Sequence, residues 1–172
     1  MTTPQAHHGS PKTEKEIWAL LEEVKDPEIP VLSIVDLGIA REVSFEDDGT
    51  LVVTITPTYS GCPAMYMLEE EIRATLNNHG LKNHRIKTVL APAWTTDWMT
   101  ESGREKLRQF GIAPPEKSTS NKKVLFGGQK EVDCPHCGSN HTEQISEFGS
   151  TACKALYRCL DCKEPFDYFK CI

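Results

Sequence analysis

Six of the seven cysteines lie beyond residue 133. Four of these form two C-x₂-C pairs, Cys134 with Cys137 in "CPHC" and Cys159 with Cys162 in "CLDC". A two-residue gap lets a tight turn aim two thiolates at one ion, and two such knuckles complete a tetrahedron of sulfur. The knuckles stand 21 residues apart, slightly beyond the usual zinc-ribbon range and otherwise in its pattern. A closed four-sulfur set leaves no open coordination position, so its chemistry is structural. Metal–thiolate bonds supply folding energy to a segment of about 40 residues, too short for a sufficient apolar core. Zinc is the expected ion, although four thiolates also suit an iron–sulfur cluster or a redox dithiol pair. Cys153 and Cys171 are left over. Each reads as a small buried hydrophobe or as an extra ligand, in this chain or shared with a partner chain.

The seventh cysteine poses a different question. In "TPTYSGCPAMYM", Cys62 stands where an alternating apolar run gives way to a helical pattern. A thiol at a helix N-terminus meets unpaired N–H groups and the positive end of the helix dipole, and both favour the thiolate. Thr56, Thr58, Tyr59 and Ser60 supply hydroxyls nearby, and Gly61 permits close approach of a ligand. The competing reading makes Cys62 a packing residue at a turn. Asp26, Glu28 and Asp36 gather in "DPEIPVLSIVDLG", where they could coordinate a metal, orient the cysteine, or simply cap turns. Trp94 and Trp98 read as core or interface anchors. The sequence displays neither a nucleophile–His–acid triad nor a glycine-rich phosphate loop.

These residues need elements to hold them. Thr13 and Glu16 make a capping box, and Ile17, Leu20, Leu21 and Val24 form one helical stripe that Asp26-Pro27 should end. "IAREVSFEDDGTLVVTITP" alternates like a hairpin with its turn at Gly49. Pro63 opens a second helix through Met65, Leu68, Ile72 and Leu76 to a Gly80 cap. "HRIKTVLAP" reads as a third strand, "AWTTDWMT" as a loop, and Thr100 caps a last helix closed by Gly111. "HTEQISEF", "KALYRC" and "EPFDYFK" fit the short sheet of a ribbon. The fold class is therefore α+β: a small mixed domain (helix, β-hairpin, helix, strand, helix) over residues 13–112, a Pro/Ser/Lys/Gly-rich linker over 113–130, and a Cys₄ zinc ribbon over 131–172.

The bulk numbers narrow the classes. The 172 residues carry a net charge of −6, with 38% hydrophobic and 26% charged side chains, ordinary for a globular protein. The acid excess lies in residues 1–119 and the ribbon is balanced, so neither part has the basic footprint of nucleic-acid binding. The polar start "MTTPQAHHGSPKTEKE" lacks the apolar stretch of a secretory signal, and no run suffices for a membrane span. The cytoplasm is the expected location, and there cysteines serve as ligands or reactive thiols more often than as disulfides.

"DPEIPVLSIVDLG" followed by "PTYSGCP" resembles the family of iron–sulfur assembly proteins that includes SufT, over roughly residues 14–112. "APAWTTDWMT" and the tail "CPHC…SEFGSTACKALYRCLDCKEPFDYFKCI" are similar to ribbon-bearing members associated with the phenylacetyl-CoA epoxidase system. The resemblance implies that Cys62 is the family's motif cysteine, with Asp26 and Thr58 as companions at a site for transient iron or an iron–sulfur cluster. It implies as partners the oxygenase and reductase subunits of that epoxidase and the iron–sulfur assembly machinery. It also implies self-association.

Four functions compete at this point. The first is an accessory maturation factor working through Cys62, rather than a catalyst. The second is a non-catalytic scaffold or docking subunit of the same complex. The third is an enzyme with a redox or acyl-transfer thiol, which lacks a visible base. The fourth is a nucleic-acid-binding ribbon, disfavoured by its neutral charge.

Overall fold

The computed structural model describes residues 12–59, 61, 64–116 and 132–170. The expectations for the amino-terminal segment 1–11, for Ser60, Cys62 and Pro63, for linker residues 117–130 and for Cys171 lie outside the described residues.

Helix α1 spans Glu14–Leu21, and Thr13 caps it as the capping box predicts: its side chain accepts from the Glu16 amide, and Glu16 Oε2 accepts from the Thr13 amide at 2.7 Å. Thr13→Ala is expected to cost about 1 kcal/mol, the usual worth of an N-cap hydroxyl, read as a lowered midpoint in urea with an unchanged slope. The helix ends at Leu21, five residues before Asp26. The amides of Glu23 and Val24 reach back to Leu20 and Leu21, the i→i−3 pattern that tightens a helix end. Val24 stays buried through this turn rather than through a continued stripe.

Strands β1 (Ala40–Phe45) and β2 (Leu51–Ile55) form the expected antiparallel hairpin, with Gly49 at φ +82 in its turn. Helix α2 (Ala64–Asn78) returns the chain, and β3 (His84–Thr88) pairs parallel to β2 in the sheet order β1-β2-β3. β2 is central, and all five of its residues are buried. Ile17, Leu21, Ile39, Leu51, Ile55, Leu68, Ile72 and Leu76 close the core between sheet and helices.

A 3₁₀ turn at Thr96–Trp98 leads to α3 (Glu101–Gln109), capped by Thr100 through the Gly103 amide at 2.9 Å. Gly38, at φ +69, lets the preceding loop run against this turn: a Cβ there would lie 2.4 Å from the Trp98 carbonyl oxygen.

The ribbon does not stand apart. Ile112–Ala113, leaving α3, form a short strand β4 that pairs parallel with β7 (Pro165–Phe169). β6 (Lys154–Cys159) and β5 (Thr142–Ser146) complete a sheet of order β4-β7-β6-β5. Ala113, which the sequence assigns to the linker, is thus part of the ribbon sheet. Ala113, Val132, Ala155, Tyr157, Phe166 and Tyr168 make a small second core with the buried cysteines. Cys153 and Phe169 belong instead to the first core. No helix among the described residues is long and apolar enough to cross a membrane.

Candidate functional site

The two knuckles are brought together by the ends of the ribbon sheet. Cys159 is the last residue of β6, and Cys162 lies in the turn that leads to β7. The sulfurs of Cys134, Cys137, Cys159 and Cys162 all lie within 4.8 Å of one another. The Cys134–Cys162 pair is 3.7 Å apart and the Cys137–Cys159 pair 3.6 Å. Tetrahedral zinc–sulfur bonds of about 2.3 Å place sulfurs about 3.8 Å apart, so the set fits one ion of that size.

The electrostatics point the same way. The Cys162 amide donates to the Cys159 sulfur at 3.4 Å and draws that thiol down to about 6. The Glu164 amide favours a thiolate at Cys162, but burial and the three neighbouring sulfurs outweigh it and push that thiol up to about 12. One thiolate forms readily; four together need a compensating dication. Around the cluster, Asp161 accepts from Ser139 and sits 3.1 Å from the His141 ring, which fixes the second knuckle against the first. His141 and His136 are not part of the sulfur cluster.

Cys153 is not part of it either. As a fifth ribbon ligand it is corrected by its position: its sulfur faces the first domain and donates to Glu28 Oε2 at 3.4 Å. Burial, aided by the Glu28 carboxylate, pushes this thiol up to about 11, so it is a protonated donor. β6 starts one residue later, and the turn from β5 reverses the chain at the end of the sheet farthest from the knuckles, which carries Cys153 away from the sulfur cluster.

The second site lies at the carboxyl end of β2. β2 and β3 run parallel, and the loops leaving them face each other across a cleft of about 440 Å³ lined by Thr56, Thr58, Tyr59, Leu90 and Trp94. Crevices at the carboxyl ends of parallel strands are the usual ligand positions of such sheets. The Thr56 hydroxyl, 1% exposed, has no hydrogen-bond partner among the described residues.

On the other side of Thr58 and Tyr59 is a cavity of about 20 Å³, walled also by Asp26, Glu28, Ile29, Leu37, Cys153 and Phe169. That volume holds about one water-sized body. Asp26 and Thr58, 32 residues apart in the chain, therefore share one cavity. Asp26 Oδ1 accepts from the Glu28 and Ile29 amides at 2.9 and 2.8 Å. Burial nevertheless raises its carboxyl above the ordinary range. A carboxylate destabilised by burial at the edge of a cleft is a mark of functional sites.

Asp36 has a different task. It bonds Ser33, Thr100 and Lys106 and ties the loop to α3, whereas Asp26 caps its own turn through the Glu28 and Ile29 amides. Trp94 is an anchor, as expected: its indole donates to the Leu37 carbonyl at 2.9 Å. Trp98 lies under the Arg41 guanidinium, 3.6 Å from the ring centre. Neither the contact of Cys153 with Glu28 nor that of Phe169 with this cavity carries a local sequence signal.

Comparison with known proteins decides the family. The PaaD zinc beta ribbon domain matches residues 118–170, and the iron–sulfur cluster assembly protein domain matches residues 14–89. The chain is 53% identical to an Escherichia coli (strain K12) protein named for one of the subunits of 1,2-phenylacetyl-CoA epoxidase, over 98% of this chain and 94% of that one. The chain belongs to the PaaD family.

Other similarities divide this PaaD-family chain as its two cores do. A Porphyromonas gingivalis Fe-S protein maturation auxiliary factor is 36% identical over 56% of this chain and 91% of its own length. A solved domain of unknown function, DUF59, from Bacillus anthracis superposes with a TM-score of 0.51 at 27% identity, covering 55% of this chain and 90% of that one. The PaaD ribbon is thus an addition to an assembly domain that elsewhere makes up nearly a whole protein.

Proposed function

We propose that this chain is an accessory factor of the multicomponent phenylacetyl-CoA epoxidase, acting in the cytoplasm. It assists assembly of iron or iron–sulfur centres in the partner oxygenase and reductase subunits and performs no ring chemistry itself. Cys62 is its working thiolate, with Asp26 and Thr58 as its companions. Cys134, Cys137, Cys159 and Cys162 hold a structural zinc, whose chemistry is to neutralise four thiolates and fix the ribbon's shape.

The observation that carries this reading is the meeting of Asp26 and Thr58 at one ion-sized cavity at the carboxyl end of β2. The names of the assembly-domain relatives support it. A transient donor needs an exchangeable site, and a closed four-sulfur shell holds its metal too firmly for that role.

Cys62→Ala provides the test. The variant is expected to keep its fold, read as a urea unfolding midpoint close to that of the wild type. Epoxidase matured in its presence should lose iron and activity about tenfold or more, the scale of removing a metal-site residue. Fully metallated, active epoxidase from cells carrying only the variant would reject the proposal.

A further inference from the structure

The cavity that Asp26 and Thr58 share has a third wall, and the ribbon supplies it. Phe169 ends β7, is 2% exposed, and meets the Trp94 ring edge-on at 6.2 Å between centroids. Cys153 sits just before β6 and donates to Glu28 Oε2 at 3.4 Å. The Lys170 amide donates to the Cys153 carbonyl at 3.0 Å, which locks these two residues side by side at one end of the β6–β7 hairpin. Next to them Lys154 is 6% exposed, held by Ser150 Oγ at 3.0 Å, and its charge acts on Asp26.

The metal ligands stand at the other end of the same hairpin. Cys159 closes β6, and Cys162 lies in the turn before β7. Six residues of strand at about 3.3 Å each make a lever of about 20 Å between sulfur cluster and cavity wall. An isolated hairpin is marginal in water, so its shape depends on what holds its turn. Here the turn is held by the knuckles, and the second core contributes few large side chains.

We propose that metal in the four-thiolate site governs the Asp26–Thr58 cavity of the assembly domain, by pinning the hairpin whose far end forms that cavity's third wall. The Porphyromonas gingivalis relative, aligned over 91% of its own length with 56% of this chain, leaves too little length outside the alignment for a ribbon of this size. The device therefore belongs to ribbon-bearing chains. What the cavity holds rests on the function proposed above; the coupling itself does not.

Hydrogen exchange on the full chain tests this without any measurement of iron transfer. The amides of Glu28 and Ile29, which donate to Asp26, report the cavity. Helix α2 reports the integrity of the assembly domain. Zinc removal by chelation is expected to speed exchange at residues 28–29 about tenfold and to open Cys153 to alkylation, while α2 keeps its protection. Phe169→Ala, checked by metal analysis to retain its zinc, should speed the same two amides. Unchanged exchange at 28–29 in the metal-free chain overturns the proposal. Should the metal-free chain lose protection throughout, the zinc-loaded Phe169→Ala variant decides: faster exchange at 28–29 upholds the third wall, and no change rejects it. A chain that passes while Cys62→Ala leaves epoxidase fully loaded keeps this coupling and loses the iron reading.

Discussion

Metal removal is expected to abolish the ordered structure of residues 132–170, seen as loss of strand signal in circular dichroism together with release of one metal ion per chain. The ribbon has little else to hold it. Its core beyond the sulfurs is Ala113, Val132, Ala155, Tyr157, Phe166 and Tyr168, and its edge strand β5 is exposed or half-buried along its length. Structural zinc contributes about 10–16 kcal/mol of apparent binding energy to small domains at neutral pH, more than such a core supplies. Without a cation four thiolates crowded within a few ångströms repel one another, and burial with the neighbouring sulfurs pushes Cys137 and Cys162 upward. Metal binding therefore displaces protons, and the ordered state is expected to be lost as pH falls, with metal release and loss of structure coinciding. Cys159→Ala should have the largest single-residue effect, since it removes both a ligand and a side chain that is 0% exposed. A ribbon that keeps its strand signal after complete metal removal would show that the apolar core suffices.

Most elements were legible in the sequence because their signals are local. The capping box at Thr13 and Glu16, the alternation of Val43, Phe45, Leu51 and Val53 around Gly49, and the stripe Leu68, Ile72, Leu76 each lie within a dozen or so residues. The ribbon strands were readable for the same reason, and the two knuckles because metal geometry imposes a fixed spacing. What could not be read is long-range. Cys153 meets Glu28 across 125 residues, and Phe169 packs on Trp94 from another domain. Neither contact leaves a periodic trace, and an isolated buried cysteine looks alike whether it faces a metal, a core or a carboxylate. The early end of α1 escaped for a related reason. Val24 continues the helical stripe in sequence, yet reaches the core through a tightened turn whose geometry no apolar spacing reports. The pairing of Asp26 with Thr58 was implied by resemblance alone; their shared cavity depends on how β2 brings its outgoing loop against the turn after α1.

Asp36→Ala is expected to lower stability by about 3 kcal/mol, the lower end of what breaking a buried ion pair costs. The carboxylate is 8% exposed and bonds three residues, one in its own loop and two on α3 and its cap. Its Oδ2 accepts from the Ser33 amide and hydroxyl, each at 3.0 Å, and from Lys106 Nζ at 2.7 Å, while Oδ1 accepts from Thr100 Oγ1 at 3.2 Å. Alanine would leave the buried Ser33 donors unmet, which is the costly part. Lys106 is 41% exposed and can regain water, which keeps the loss from reaching the upper end. Thr100 also caps α3, so the damage should spread to the start of that helix and to the loop that carries Asp26. The pH dependence follows from the same contacts. Burial alone would raise the Asp36 carboxyl, but Lys106 and the Ser33 donors outweigh it and hold it below the ordinary range. A carboxyl lowered in the folded state stabilises the fold fully above its unfolded pKa, about 4, and loses that contribution as pH falls through the folded value. The stability gap between wild type and Asp36→Ala, measured by urea unfolding, should accordingly be widest near neutral pH and narrow in acid. Asp36→Asn, which keeps the shape and loses the charge, should fall between the two and show a flatter acid limb. A gap that stays constant across the acid range would assign the loss to packing, and the bond to Lys106 would then contribute nothing to holding the loop on α3.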